Sequence, residues 1–161
     1  MNDITVIVKD LMALSISKSM TISTAESCTG GLISKFLTDK PGSSKFFNSS
    51  VIAYSNKAKI SILKVNPATI ESCGAVSEKT VIEMADGLLK LTGSSVVISV
   101  SGVMGTDRKS NADENNEVWI CWRNQQKSKT FYTELKGDRG ENRLETAKIA
   151  LLGLYDFIKE I

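Results

Sequence analysis

A serine that is followed by two glycines is the part of this sequence best suited to chemistry. Ser27 comes after Glu26 and a strand-like run, Thr21–Ala25, and Gly30 and Gly31 precede an apolar run typical of a helix. A hydroxyl at such a strand-to-helix turn lies at the carboxyl edge of a sheet, where ligands of open α/β sheets bind. Unpaired N–H groups at the helix start and two glycines without side chains would let an oxyanion or a phosphate approach. Ser27 is therefore the best candidate for an active-site residue in this chain.

Two other interpretations of this turn remain open from the residues alone. Ser27 could be an ordinary helix N-cap, worth roughly 1 kcal/mol of stability, and on spacing alone that is the more frequent case. Cys28 is a second-choice nucleophile, although free cysteines are usually small buried apolar residues.

The chain contains no histidine, which excludes Ser-His-Asp and Cys-His catalysis and histidine-ligated zinc. A base for Ser27 must then be a lysine, a carboxylate, a tyrosine or a metal-bound water. Lys59 is the candidate, because Ser55 and Asn56 predict a helix start and place it in the first turn, where the helix dipole favours the neutral amine. Its pKa must fall by ~3 units to reach neutrality, through burial and nearby positive charge. Tyr54, at a predicted strand end, could hydrogen-bond to either group.

A solvent-facing role for this lysine also remains open, since Lys57, Lys59 and Lys64 could simply solvate one helix face.

The rest of the composition is ordinary. Hydrophobic residues make up 42%, and the net charge of +2 comes from 20 basic and 18 acidic residues without a long run of one sign. The electrostatic footprint of a nucleic-acid binder is therefore missing.

Cysteine usage and hydropathy indicate the compartment. Three cysteines without C-x-x-C spacing argue for a reducing environment. The apolar stretch from Ile4 to Ile16 is interrupted by Lys9 and Asp10 and is too short to span a bilayer. We expect a cytoplasmic protein with no membrane or nucleic-acid partner.

Apolar periodicity predicts helices that alternate with strands and a hairpin late in the chain. The predicted helices are 3–18, a segment ending near Leu37, Asn56–Leu63 ended near Asn66-Pro67, Ser77–Leu91 and Glu141–Ile161. The predicted strands are Thr21–Ala25, Val51–Tyr54, Val96–Val100, Val118–Arg123 and Thr130–Leu135, and residues 102–116 form a polar loop. The buried face of the last helix is predicted to hold Leu144, Ala147, Ile149, Leu151, Leu152, Tyr155 and Ile158. This order predicts a single α/β domain with three α/β/α layers and a mixed sheet that ends in an antiparallel hairpin.

Several multi-residue motifs, in order along the chain, are similar to one known family. They are AESCTGG at 25–31, PGSS at 41–44, YSN-x-AK at 54–59, GAVS at 74–77 and GDR at 137–139. On these motifs the sequence resembles the CinA C-terminal domain family, the nicotinamide-nucleotide amidases, from about residue 5 to the end. The resemblance implies one domain over 1–161, in the stand-alone form without the N-terminal molybdopterin-binding-like domain of some members. It also implies a homodimer.

The resemblance further implies hydrolysis of the carboxamide of nicotinamide mononucleotide to nicotinate mononucleotide and ammonia, with no metal and no cofactor. Ser27 would be the nucleophile, Lys59 its general base and Tyr54 a partner that orients or polarises the pair. The implied substrate contacts are Thr29, Gly30, Gly31, Ser101, Gly102 and Arg139. The arginine is a plausible phosphate contact, and Arg143 is a further candidate.

This sequence departs from the family pattern in two places. Where members have a Gly/Pro-rich loop of the form G-I-A-G-P-x-G-G, this chain reads GVMGTDRK over 102–109, with added side chains and fewer glycines. Lys57 stands where glutamate is usual, and a cation there would lower the pKa of Lys59. The altered loop motivates an alternative function, a non-catalytic module that binds a nucleotide or a partner.

Overall fold

The computed structural model describes residues 3–106 and 115–161. Its helices are α1 (Ile4–Ser17), α2 (Leu32–Thr38), α3 (Asn56–Ser61), α4 (Pro67–Cys73), α5 (Glu78–Thr92) and α6 (Arg139–Lys159), with a 3-10 turn at Ser43–Lys45. Its strands are β1 (Ile22–Glu26), β2 (Phe47–Ile52), β3 (Val96–Gly102), β4 (Asn116–Arg123) and β5 (Ser128–Leu135). In these two ranges no helix is both long enough and apolar enough to cross a membrane.

The five strands form one mixed sheet in the order β2-β1-β3-β4-β5. β1 runs parallel to β2 on one side and to β3 on the other, and β4 and β5 add an antiparallel hairpin. The carboxyl ends of β1 and β3 therefore meet at one edge of the sheet. The predicted mixed sheet with a terminal hairpin is confirmed.

Helices cover both faces of the sheet, and the strands β1 and β3 at its centre are buried on both sides. On β3, Val96, Ile98 and Val100 join a core with α1, α2 and α6, whereas Val97 joins a second core built on α5. This alternation fixes which residues of one strand face which helix layer. The three predicted layers are present.

The second strand differs from its prediction. It covers Phe47–Ile52 rather than Val51–Tyr54. Its middle residues are hydroxyl side chains that pair with hydroxyls on β1, Ser49 with Ser23 at 3.0 Å and Ser50 with Thr24 at 2.7 Å. A search for apolar residues misses such an edge strand, because its polar side chains form hydrogen bonds with the neighbouring strand instead of lying in solvent.

The sequence pattern does not predict helix α4, because Asn66 and Pro67 are typical of the end of the preceding helix. They instead begin a new one. The Asn66 side chain accepts a hydrogen bond from the Ala68 N–H at 3.0 Å, and Pro67 occupies the first helical position, where a missing N–H costs nothing. Other predicted helices lie within a few residues of their observed ends.

The predicted buried face of α6 was partly wrong. Ala147, Leu151 and Ile158 are buried, but Leu144 and Leu152 are 48% and 38% exposed. Two polar residues take part of the inner face. Asn142 donates to the Met104 carbonyl at 3.0 Å, and Thr146 donates to the Asn142 carbonyl at 2.7 Å. Periodicity assigns apolar residues to the core and cannot anticipate polar ones that are satisfied there.

Gly153 lets α6 approach the sheet, since a Cβ at this position would lie 2.1 Å from Cζ2 of Trp122. We expect Gly153→Ala to destabilise the fold by roughly 1–3 kcal/mol, because the bulky indole cannot yield without moving the helix. Urea unfolding measures this change. The matched control is Gly140→Ala in the same helix, where the new Cβ meets its nearest atom at an ordinary 3.4 Å. That variant should be neutral or slightly more stable, and equal losses in both would contradict the packing argument.

Candidate active site

Ser27 lies at the carboxyl end of β1, at the edge where β1 and β3 end together. Its N–H donates to the Val100 carbonyl at 3.1 Å, which continues the ladder one residue beyond the strand. Its hydroxyl Oγ lies 2.9 Å from Nζ of Lys59, although the two residues are 32 positions apart. The structure therefore brings together the two residues that the sequence singled out.

Lys59 is held by a short helix and by the end of β2. Ser55 caps α3 by accepting the Ala58 N–H at 3.1 Å, and this places Lys59 on the inner side of the helix. The side chain is 2% exposed. Its Nζ also donates to the carbonyls of Ala53 at 3.0 Å and Tyr54 at 3.2 Å.

Burial is the main cause of the lowered pKa of Lys59, because a charged ammonium loses its hydration in the interior; Cys28 opposes the shift. The hydrogen bonds also fit the neutral form. An ammonium has three N–H donors, one each for Ser27 and the two carbonyls. A neutral amine gives its two hydrogens to the carbonyls, and its lone pair then faces the serine hydroxyl. The arrangement can therefore accept the Ser27 proton.

Tyr54 and Arg139 form the rim of the site. The Tyr54 ring is on the surface, 58% exposed, and its hydroxyl accepts a hydrogen bond from Arg139 at 3.0 Å. The same guanidinium donates to the Gly105 carbonyl at 3.2 Å, and the Arg139 N–H donates to the Thr106 carbonyl at 2.7 Å. Tyr54 thus reaches Lys59 through its backbone carbonyl, while its hydroxyl contacts the arginine.

These residues surround a cleft of about 200 Å³. The lining comprises Ser27, Cys28, Tyr54, Asn56, Lys59, Ala75, Val76, Ser101, Gly102, Met104 and Arg139. Six of the nine predicted site residues are among them. Ser101 is 2% exposed, and its hydroxyl donates to the Ala75 carbonyl at 2.8 Å, which ties the end of β3 to the start of α5. The altered loop begins at this wall, but its residues 107–114 lie outside the described part of the chain.

The other three predicted substrate contacts, Thr29, Gly30 and Gly31, do not line the cleft. The Thr29 hydroxyl donates to a Glu26 carboxylate oxygen at 2.7 Å, and the Gly31 N–H donates to the same oxygen at 3.0 Å. The Gly30 N–H donates to the Ser27 carbonyl at 3.1 Å. The donors at this turn that we expected to be open to a ligand are therefore already engaged within the protein.

The buried Glu26 carboxylate is a feature that our sequence analysis missed. Glu26 is fully buried, and its carboxylate accepts the first N–H groups of α2, the role that the alternative interpretation of the turn gave to Ser27. The position of Glu26 in the sequence could have predicted this role. An acidic residue at the end of a strand, just before a helix start with free N–H donors, is suited to accept hydrogen bonds from them.

Cys28 is a poor nucleophile in this setting. The side chain is 4% exposed, and burial raises the pKa of its thiol to about 12, so the reactive thiolate is not available near neutrality. The N–H groups of Cys28 and Thr29 lie near its sulfur and oppose this shift. Within the described residues neither N–H donates to a backbone carbonyl, and of the two residues only Cys28 lines the cleft.

Fold and site together define an α/β protein with a buried serine–lysine pair at the carboxyl edge of a mixed sheet. The sequence profile of the CinA C-terminal domain matches residues 4–158. The chain therefore belongs to the CinA C-terminal domain family.

Two curated relatives illustrate the range of the family. A CinA-like protein of Fervidobacterium nodosum is 46% identical over 139 residues, which cover 85% of this chain and 34% of the relative. The nicotinamide-nucleotide amidohydrolase PncC of Enterobacter agglomerans is 41% identical over 145 residues, which cover 89% of this chain and 88% of the relative. The chain spans about a third of the length of several curated relatives that it matches.

Solved structures share the whole architecture. A CinA superfamily protein from Klebsiella pneumoniae is 26% identical, with a TM-score of 0.92, and the match covers 99% of this chain and 100% of that one. The fold described above is therefore the fold of this superfamily.

Proposed function

We propose that this protein is an amidohydrolase that converts nicotinamide mononucleotide, or a close relative, to nicotinate mononucleotide and ammonia. The observation that carries the proposal is the 2.9 Å contact between Ser27 Oγ and the buried Nζ of Lys59. The named activity of PncC, which matches this chain over most of both lengths, supports the choice of substrate.

The first half of the reaction forms an acyl-enzyme. The neutral amine of Lys59 takes the Ser27 proton as Oγ attacks the carboxamide carbon, and negative charge develops on the carboxamide oxygen. We propose the N–H group of Cys28, which lines the cleft beside Ser27, as a donor that stabilises that charge. The Lys59 ammonium then returns its proton to the departing nitrogen, which leaves as ammonia when the C–N bond breaks.

In the second half of the reaction water is the nucleophile and Ser27 is the leaving group. Lys59, again neutral, takes a proton from a water that attacks the acyl carbon, and its ammonium gives that proton back to Ser27 Oγ as the ester bond breaks. One water is consumed, the carboxylic acid product leaves, and the serine–lysine pair is restored. The Tyr54 carbonyl, which accepts from Nζ, helps to hold the amine in place through both halves.

Arg139 is proposed to bind the substrate phosphate, since its guanidinium lies on the cleft rim. We expect Arg139→Ala to raise KM for nicotinamide mononucleotide roughly 10- to 100-fold with little change in kcat, because a charge-assisted contact present in both ground and transition states is lost. The measurement compares the mononucleotide with its nucleoside, nicotinamide riboside. The variant should lose the preference for the phosphorylated substrate.

The matched control is Lys136→Ala, an exposed cation three positions before Arg139. Its KM should be unchanged. An equal loss on the nucleoside and the mononucleotide would show that Arg139 maintains the loop that it contacts rather than binding phosphate.

Ammonia release tests the proposed function directly. Purified protein is assayed on nicotinamide mononucleotide, nicotinamide riboside, nicotinamide and NAD, with thermal stability recorded for each ligand. We expect release from the mononucleotide above all. The alternative of a non-catalytic binding module predicts thermal stabilisation by a nucleotide without ammonia from any amide, and that result would replace the proposal.

We also propose that the protein acts in the cytoplasm as a homodimer, as its family resemblance suggests. Light scattering during size-exclusion chromatography gives the mass in solution. A mass near 17.5 kDa, that of one chain, would contradict the dimer.

A further inference from the structure

We infer that Glu26 is a positioning residue: its buried carboxylate fixes the turn that carries Ser27 in the geometry that meets Lys59. The inference rests on the proposed function, because it assigns Glu26 a part in the same serine chemistry. Glu26 lines no part of the cleft and acts only through the chain that it holds.

The carboxylate is surrounded by donors. Oε2 accepts from Thr29 Oγ1 at 2.7 Å, Gly31 N at 3.0 Å and Ile33 N at 3.1 Å, while Oε1 accepts from Ser34 N at 2.8 Å and Thr24 Oγ1 at 3.2 Å. Two hydroxyls and three backbone N–H groups thus meet one fully buried side chain. Burying a carboxylate is costly unless it is hydrogen-bonded in this way.

The helix that follows the turn has no cap of its own. Gly31 stands at its N-cap with φ of +97° and, lacking a side chain, makes no capping bond. The first N–H groups of α2 would be unsatisfied in the interior without an outside acceptor. Glu26 supplies that acceptor from the last position of β1, and the negative charge suits the positive end of the helix.

This arrangement closes residues 27–30 into a loop tied at both ends. Glu26 belongs to β1, on one side of Ser27. Its carboxylate accepts hydrogen bonds from the N–H groups of α2, on the other side of Ser27. Arg143 braces the loop from outside by donating to the Thr29 carbonyl at 2.7 Å. Among the residues that the structure describes, Lys59 is the hydrogen-bond partner of the Ser27 hydroxyl, so the position of that hydroxyl depends on the loop.

The first test is Glu26→Gln. Glutamine keeps the shape but replaces one acceptor oxygen with an NH₂ group, which would face two or three donors. We expect kcat to fall about 100-fold, since a displacement near 1 Å costs about that much. KM and the acid limb of the pH profile should stay unchanged, because the rim and Lys59 are intact. A general loss of structure would change kcat, KM and the acid limb of the pH profile together.

Glu83→Gln is the matched control. Glu83 also accepts a backbone N–H, from Asn66 at 2.8 Å, and a threonine hydroxyl, from Thr69 at 2.7 Å, but it lies outside the cleft. We expect it to lower the melting temperature without lowering kcat. An unchanged kcat in Glu26→Gln, or equal kcat losses in the two variants, would overturn the inference.

A crystal structure of Glu26→Gln separates this inference from the proposed function, because it requires no turnover. We expect Ser27 Oγ to move away from Lys59 Nζ by about 1 Å. A retained 2.9 Å contact overturns the positioning role even if the wild type proves active. If the glutamine variant does not fold, the isosteric Thr29→Val, which removes one donor to Glu26, is taken through the same measurements with smaller shifts expected.

Discussion

Replacing Lys59 with methionine is expected to abolish ammonia release while the fold is kept. General-base catalysis contributes about 10²–10⁴-fold, so we expect kcat/KM to fall by at least about 1000-fold. Methionine fills a similar volume and leaves no cavity. The measurement is ammonia release together with circular dichroism.

The control for Lys59 is Lys64→Met on the exposed side of the same region, where Nζ donates to the Ser61 carbonyl at 2.7 Å. That variant should retain full activity. If Lys59→Met kept more than about a tenth of the wild-type rate, a group other than this amine would be the base.

The pH dependence of the wild type follows from the lowered pKa of Lys59. The amine must be neutral to accept the Ser27 proton, so kcat/KM should rise with pH through the folded-state pKa of Lys59. The rise should be complete below the ordinary lysine value of 10.5, since burial lowers that pKa. A profile still rising at 10.5 would contradict this.

The same shift has a consequence for stability, with a definite sign. Between the lowered pKa and 10.5 the unfolded chain binds more protons at Lys59 than the folded one, so the stability of the wild type rises with pH there. Lys59→Met removes this term. The free energy of unfolding of the variant relative to wild type should therefore fall as pH rises through that window.

Ser27→Ala should remove the covalent step altogether. We expect ammonia release to drop by at least about 1000-fold, because neither the nucleophile nor the acyl-enzyme remains. Rapid-quench mass spectrometry of the wild type should show a transient adduct on Ser27 that the variant lacks. The variant should lose about 1–3 kcal/mol of stability, because the buried Nζ of Lys59 loses its hydrogen-bond partner at this position.

Ser72→Ala is the control, as its exposed hydroxyl donates to the Ala68 carbonyl in its own helix and contacts the neighbouring Cys73. Treatment with a thiol alkylator should leave wild-type activity unchanged, because the Cys28 thiol is buried and protonated. Substantial turnover by Ser27→Ala that alkylation abolishes would transfer the nucleophile to Cys28.

The sequence by itself determined the fold class, because periodicity and turn residues act over a few positions. Alternating apolar runs specified helices and strands, and the late hairpin specified a mixed sheet. The absence of histidine limited the possible bases for Ser27 to a lysine, a carboxylate, a tyrosine or a metal-bound water. Ordered motifs then identified the family, which the match over residues 4–158 confirms.

Only the tertiary structure decided the geometry and the electrostatic environment of the site. The approach of Lys59 to Ser27, the burial that lowers the lysine pKa, and the contact of Tyr54 with Arg139, 85 positions away, depend on how distant elements pack. Glu26 shows the limit most clearly. Local pattern marks it as a polar residue between strand and helix, but the number of donors it satisfies is set by the folding of the turn around it. Burial and electrostatic environment are properties of the assembled chain, since they depend on every neighbour that excludes water.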